Sequence, residues 1–131
     1  MEYVGIVLVS HSHELVEGLK KILTQLNADV PVATAGGTEE EEIGTSALKI
    51  QNAIKSVYSQ KGVIVFFDLG SALMNSEMAI EWLAEENLTN IHIANSPIVE
   101  GSYAAVVQSG IGSSLDKVIK ATQEAKSFDK L

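Results

Sequence analysis

The chain has no cysteine and no arginine. The first absence removes disulfides, thiolate nucleophiles and cysteine-ligated metals in one step. The second removes the bidentate guanidinium clamp used on nucleoside triphosphates, and any arginine finger. No G-x-x-x-x-G-K-[ST] or G-x-G-x-x-G loop is present either. Phosphate chemistry in this chain must therefore rest on backbone amides, hydroxyls and histidine. Aromatic residues are sparse, with three Phe, three Tyr and one Trp, which argues against a flavin sandwiched at a flavodoxin-like sheet edge. No apolar run approaches the ~18 residues of a membrane span, so a membrane partner is not expected. A cysteine-free chain without a leader-like start is expected in the cytoplasm.

What is present is acidic and apolar. Seventeen Asp and Glu against nine Lys give a net charge of −8. That balance repels a phosphodiester backbone and excludes nucleic acid as a partner. It suits a lysine-rich protein surface instead. With 46% apolar residues over 131 positions, a hydrophobic core is within reach. The expectation is one domain spanning residues 1–131.

Three apolar runs read as buried strands: Tyr3–Val9 (YVGIVLV), Gly62–Phe67 (GVIVFF) and Asn90–Ala94 (NIHIA). The first two lack polar alternation, the mark of strands covered on both faces of a parallel sheet. A fourth, Asp29–Ala33 (DVPVA), holds Pro31, which cannot donate to a ladder and so belongs at a sheet edge. Helical spacing separates them, through Leu15, Leu19, Ile22, Leu23 and Leu26, then Leu48, Ala53, Ile54 and Val57, then Ala72, Met78, Ala79, Trp82 and Leu83. Two further helices follow, one over Tyr103–Val107 and one carrying Leu115, Val118, Ile119 and Ala125. The order β-α-β-α-β-α-β-α-α predicts an α/β fold, a doubly wound, mainly parallel four-stranded sheet of order 2-1-3-4 flanked by helices.

Ligands of such sheets bind beyond the carboxyl ends of the strands, at the point where the strand order reverses. Here that point lies between strands 1 and 3. Strand 1 ends in Ser10-His11-Ser12-His13 and strand 3 in Asp68-Leu69-Gly70-Ser71; strand 2 leads to Gly36-Gly37-Thr38. Asp68 is placed to accept the Nδ1–H of His11 and leave Nε2 as a free lone pair. The nearby helix start disfavours imidazolium and favours an anion. A neutral imidazole so placed can attack an electrophile and then hold a negative group. Gly70 permits close backbone approach, and Ser71 serves as an N-cap or as an oxyanion hydroxyl. His13 reads as an exposed first-turn residue and His92 as a structural histidine between Ile91 and Ile93. With only two of the three histidines near each other, no metal set is expected. No G-x-S-x-G elbow supports a serine hydrolase.

The segments VSHS (Val9–Ser12), IGTSALKIQNAI (Ile43–Ile54), FFDLGSALMNSEMAIEWL (Phe66–Leu83) and SPIVEGSYAAVV (Ser96–Val107) resemble the mannose-type enzyme IIA family of the phosphotransferase system. Within it, DLGSALMNSE and PIVEG together are most similar to the phosphocarrier subunits of bacterial dihydroxyacetone kinases. The resemblance implies that His11 takes a phosphoryl group on Nε2 from the carrier HPr and that Asp68 supports the other ring nitrogen. The group would pass to ADP held by a nucleotide-binding kinase subunit, so this chain would bind no cofactor of its own. Backbone amides of Gly70 and Ser71, with the hydroxyls of Ser12 and Thr38, are expected to hold the phosphoryl oxygens. A homodimer is implied as well. Some members fuse HPr-like and enzyme I-like domains; this chain is expected to use separate partners. Sugar-transport relatives carry D-L-x-G-G-S-P after strand 3, where this chain has Asp68-Leu69-Gly70-Ser71-Ala72-Leu73. A sugar-specific enzyme IIA and a non-enzymatic sensor of phosphorylation state remain the alternatives.

Overall fold

The computed structural model describes residues 2–131. All six residues of β1 (Gly5–Ser10) are buried, because helices cover both faces of the sheet. Around it run α1 (His13–Leu26), β2 (Val32–Gly36), α2 (Ala47–Val57), β3 (Val63–Phe67), α3 (Ser71–Ala84), β4 (Ile91–Ile93), α4 (Ile98–Gly110) and α5 (Leu115–Glu124). The strands are parallel and ordered β2-β1-β3-β4. This is the expected topology.

Alternate residues of the central strands feed two separate cores, as the two-residue period of a strand requires. Ile6 and Leu8 of β1 join Ile64 and Phe66 of β3 under Val16, Leu19 and Leu23 of α1, Ala105 and Val106 of α4, and Val118 of α5. Val7, Val9, Val63 and Val65 face the other way, against Ile50, Ala53, Ile54 and Val57 of α2 and Ala79 and Leu83 of α3. Helices α1 and α2 begin at serines, Ser12 and Ser46, whose hydroxyls accept from the amides of Leu15 and Lys49. Each cap satisfies a donor that the first turn leaves open, an interaction of about 1 kcal/mol.

Three expectations shift. The second strand lies at Val32–Gly36 rather than Asp29–Ala33. Pro31 marks its start: the proline carbonyl accepts from the Ile6 amide at 2.9 Å, and the ladder then runs from Val32 on residues with free N–H groups. The fourth helix starts at Ile98, directly after Pro97, not at Tyr103, since proline precedes a helix without costing it a donor. The apolar helical stripes are also wider than the buried faces. Leu15, Ile22 and Leu26 of α1, Leu48 of α2, and Met78 and Trp82 of α3 are all exposed.

One close approach positions the site. Gly36 pairs with Ser10 at the end of the β1–β2 ladder. A Cβ there would lie 2.5 Å from Val16 Cγ2, 2.7 Å from His13 Cα and 2.8 Å from the Ser12 carbonyl oxygen. Two of those neighbours are backbone and cannot swing aside. Gly36→Ala is therefore expected to push the Ser12–His13 turn off β2 and cost about 1–3 kcal/mol of stability, read as a lower urea midpoint.

Candidate functional site

His11 follows β1 and Asp68 follows β3, both at the carboxyl edge where the strand order reverses. The register pairs Val9 with Phe67, so the next position sets Ser10 opposite Asp68. The carboxylate reaches from there to His11. Its Oδ1 lies 3.0 Å from His11 Nδ1, and its Oδ2 accepts from the His11 backbone amide at 3.0 Å. Oδ2 also accepts from the Ser10 hydroxyl at 2.8 Å, and Oδ1 from the Leu69 amide at 2.7 Å. Four donors thus converge on one carboxyl group. Burial pushes its pKa up. The hydrogen bonds from the His11 amide, the Ser10 hydroxyl, the His11 ring and the Leu69 amide outweigh that push and hold it below the ordinary carboxylate value.

An ionised carboxylate can only accept, so Nδ1 carries the proton of the neutral ring. Nε2 is then the lone pair. It points outward and accepts from the Ser71 hydroxyl at 2.6 Å, at an exposed position. The side chain of His11 is 22% exposed and that of Asp68 13%. The carboxylate thus lies on the inner side of the ring and Nε2 on the outer side. Ser71 is the first residue of α3, and Gly70 occupies the cap position. The hydroxyl expected either as a cap or beside a developing anion therefore sits on the imidazole. The amides of Gly70 and Ser71 find no acceptor within the chain among the described residues.

Gly70 has ordinary helical dihedrals, φ −55° and ψ −29°, and a Cβ there would meet nothing within 4 Å. The fold does not need this glycine. Gly70→Ala is expected to keep or raise the melting temperature.

The remaining candidate residues lie at varying distances from this centre. Ser12 caps α1, its hydroxyl near the Leu15 amide and the Glu14 carboxylate at 3.3 Å each. Thr38 is folded into its own turn: its hydroxyl and N–H bond Glu42, and its carbonyl accepts from Glu41. It lines a cavity of about 330 Å³ with Glu39, Asn75 and Trp82. His13 opens α1 with Nε2 3.9 Å from Glu41, a surface pair of little energetic weight. His92 is half-buried in β4, and burial lowers its pKa. Among the described residues, no three His, Asp or Glu side chains gather as a metal set. No helix of the described residues is long and apolar enough to cross a membrane.

Two features escaped the reading of the sequence. Ser10 is fully buried and bonded to Asp68; the β1–β3 register would have placed it there. Lys49 of α2 donates to the carbonyls of Gly36, at 2.6 Å, and Thr38, at 3.2 Å. It fastens the loop after β2, whose Gly44 amide in turn donates to the His11 carbonyl at 3.0 Å. A lysine bonded to backbone carbonyls leaves no sequence signal.

A half-buried carboxylate on Nδ1, an outward Nε2 and amides at a helix start beside it form an arrangement that can receive an anion. Residues 5–119 match the family described as PTS system fructose IIA component, EIIA-man. The chain belongs to this family. Over 118 residues the IIA chain is 36% identical to the phosphoryl donor subunit DhaM of PEP-dependent dihydroxyacetone kinase 2 of Listeria innocua, covering 89% of this chain and 94% of that one. It is 39% identical over 120 residues to the DhaM subunit of Escherichia coli, covering 88% of this chain but 25% of that longer protein. A crystal structure of a protein of unknown function, 31% identical, superposes with a TM-score of 0.84 over 98% of this IIA chain and 100% of the other.

Proposed function

We propose that this IIA chain is the phosphoryl donor subunit of a dihydroxyacetone kinase, with His11 Nε2 as the atom that carries the group. The observation that supports this most directly is the Asp68–His11–Ser71 line, which puts the proton of a neutral ring on Nδ1 and turns its Nε2 lone pair to the surface. A donor protein can reach that nitrogen without any part of this chain opening.

The Nε2 lone pair attacks phosphorus of phospho-HPr in line. The new N–P bond forms as the donor's N–P bond breaks, and the electron pair returns to the donor ring. Positive charge that develops on the His11 ring is met by Asp68. Ser71 must turn away from Nε2 as phosphorus arrives, which puts its hydroxyl beside the phosphoryl oxygens. The amides of Gly70 and Ser71 stand at the same helix start, where an anion is favoured. Transfer then runs outward: an oxygen of the terminal phosphate of ADP in the nucleotide-binding subunit attacks, and His11 is regenerated neutral. Little covalent chemistry falls to the protein, so positioning and charge compensation carry the rate. An arginine-free chain suits this division, because the nucleotide is held elsewhere.

Localisation in the cytoplasm and a homodimeric state belong to the same proposal. Val99, Tyr103 and Val107 supply a stripe of exposed apolar residues at four-residue spacing on α4, a face that a second copy would cover. The test of function is acceptor choice. The protein is incubated with phosphoenolpyruvate, enzyme I and HPr to give an acid-labile, base-stable phosphate. It is then offered an ADP-loaded kinase subunit or a sugar-transport enzyme IIB. Discharge to ADP supports the proposal; discharge only to enzyme IIB overturns it in favour of sugar transport. A stable complex with no onward transfer indicates a regulatory module.

A further inference from the structure

We propose that Ser10 is a positioning residue for His11: its buried hydroxyl fixes the Asp68 carboxylate and the turn that carries His11 relative to one another. The proposal rests on the reading of His11 as the phosphorylated residue.

Ser10 ends a strand that is otherwise apolar, and it is 0% exposed. A hydroxyl so buried is costly unless it is bonded. This one has two bonds, and their directions are determined. The backbone amide of Ser12, 3.0 Å away, can only donate, so Ser10 Oγ is the acceptor there. Asp68 Oδ2, 2.8 Å away, can only accept while ionised, so the Ser10 proton must point at the carboxylate. The hydroxyl has no freedom to serve as a nucleophile or to reach solvent. It bridges the residue just after His11 to the carboxylate that holds the His11 ring.

That bridge matters because a carboxylate turns easily about its terminal torsion. Oδ1 has two donors, His11 Nδ1 and the Leu69 amide. Oδ2 has the His11 amide and Ser10. Among the described residues, Ser10 is the one side chain other than the His11 ring that bonds the group. Without it, Oδ2 keeps a single donor and the carboxyl plane can rotate toward the amides of His11 and Leu69. Rotation takes Oδ1 out of line with Nδ1. The Ser12 amide also loses its acceptor, so the turn after His11 loosens on the same change. Both ends of the His11–Asp68 pair drift, and the preference for the Nδ1–H tautomer weakens. A residue sealed from solvent cannot touch a partner protein, so its removal should alter the chemical step and not docking.

The experiment uses the full chain with Ser10→Ala, Asp68→Asn and the double variant. Two readouts are taken: the tautomer of the His11 ring by nitrogen-15 NMR, and steady-state phosphoryl acceptance from phospho-HPr. The unaltered protein is expected to show the Nδ1–H form. Ser10→Ala should show a mixture of tautomers, with kcat lower by about tenfold and KM for phospho-HPr changed by less than about twofold. On the Asp68→Asn background, Ser10→Ala should add well under about tenfold, because most of its effect passes through the carboxylate and only the loosened Ser12 turn remains. A folded Ser10→Ala protein with an unchanged tautomer and unchanged kcat overturns the proposal. So does a full tenfold loss on the Asp68→Asn background, or a loss that appears in KM alone. Should Ser10→Ala fail to fold, Ser10→Cys takes its place with the same readouts and the same outcomes, its thiol being a weaker donor. The tautomer measurement needs no phosphate. An unaltered protein that takes no label would sink the reading of His11, while the tautomer still decides the role of Ser10.

Discussion

Replacing His11 by alanine is expected to abolish phosphoryl acceptance while leaving the fold in place. The loss should be complete within detection, because no other side chain offers a comparable nucleophile. His13 opens α1 beside Glu41, and His92 lies in β4, where pairing Val65 with Ile93 leaves it away from the carboxyl edge. Ser71 has a hydroxyl at the site, but no second base sits on it once His11 is gone. The fold should tolerate the change because His11 lies outside β1 and belongs to neither core. Its backbone bonds, amide to Asp68 and carbonyl to the Gly44 amide, survive truncation at Cβ. The unfolding free energy should therefore change by no more than about 1 kcal/mol. The decisive measurement is the acid-labile, base-stable label per chain after incubation with phosphoenolpyruvate, enzyme I and HPr. Retention of one label per chain on the His11→Ala protein would place the chemistry on another residue.

Much of this site was legible in the sequence because its parts follow from topology. A run such as GVIVFF reads as buried on both faces, and Pro31 just ahead of the second strand points to an edge although the strand itself starts at Val32. Together they give the strand order, and the order fixes which loops meet. His11 and Asp68 come together for that reason and not through any local motif. What stayed hidden depends on register and on backbone contacts. Ser10 looked like the end of a strand until Val9 was paired with Phe67. By sequence Gly36 falls only in the loop after strand 2, yet its importance is a missing Cβ against Ser12 and His13. The Thr38 hydroxyl accepts from the Glu42 amide, a turn contact that the sequence does not signal. Helical spacing also overstated the core, since Leu15, Ile22 and Trp82 keep the period of buried residues while facing solvent. Apolar periodicity reports any face that avoids water, whether the cover comes from this chain or from a partner.

Removing the Asp68 carboxylate is the second change of large expected effect, and the choice of replacement tests the mechanism. Asp68→Ala leaves Nδ1 without an acceptor, so nothing selects the tautomer with a lone pair on Nε2. The charge that builds on the ring during attack also goes unmatched. A loss of about 10²–10⁴-fold in transfer rate is expected for the loss of a group that sets a histidine tautomer. Asp68→Asn should be no milder, although it keeps the shape. All four partners of the carboxylate are donors when the ring is in its working form. An amide offers one oxygen and one NH2, so one pair of donors must face an NH2. If that pair is Nδ1 and the Leu69 amide, the ring accepts at Nδ1 and carries its proton on Nε2, where it cannot attack. If it is Ser10 and the His11 amide, the turn before the ring is forced apart. The acid side of the stability profile gives an independent check. Burial raises the Asp68 pKa, but the four hydrogen bonds more than offset it, so the folded value lies below the unfolded one. Such a group contributes its full stability above the ordinary carboxylate range and loses it as pH falls through the lowered folded value. Urea midpoints of the unaltered protein should therefore carry this group's share in full above about pH 4 and lose it only below that, and Asp68→Ala should lack that acid-side loss. An acid profile unchanged by the substitution would mean that the carboxylate is not held by these donors, and the tautomer argument would fall with it.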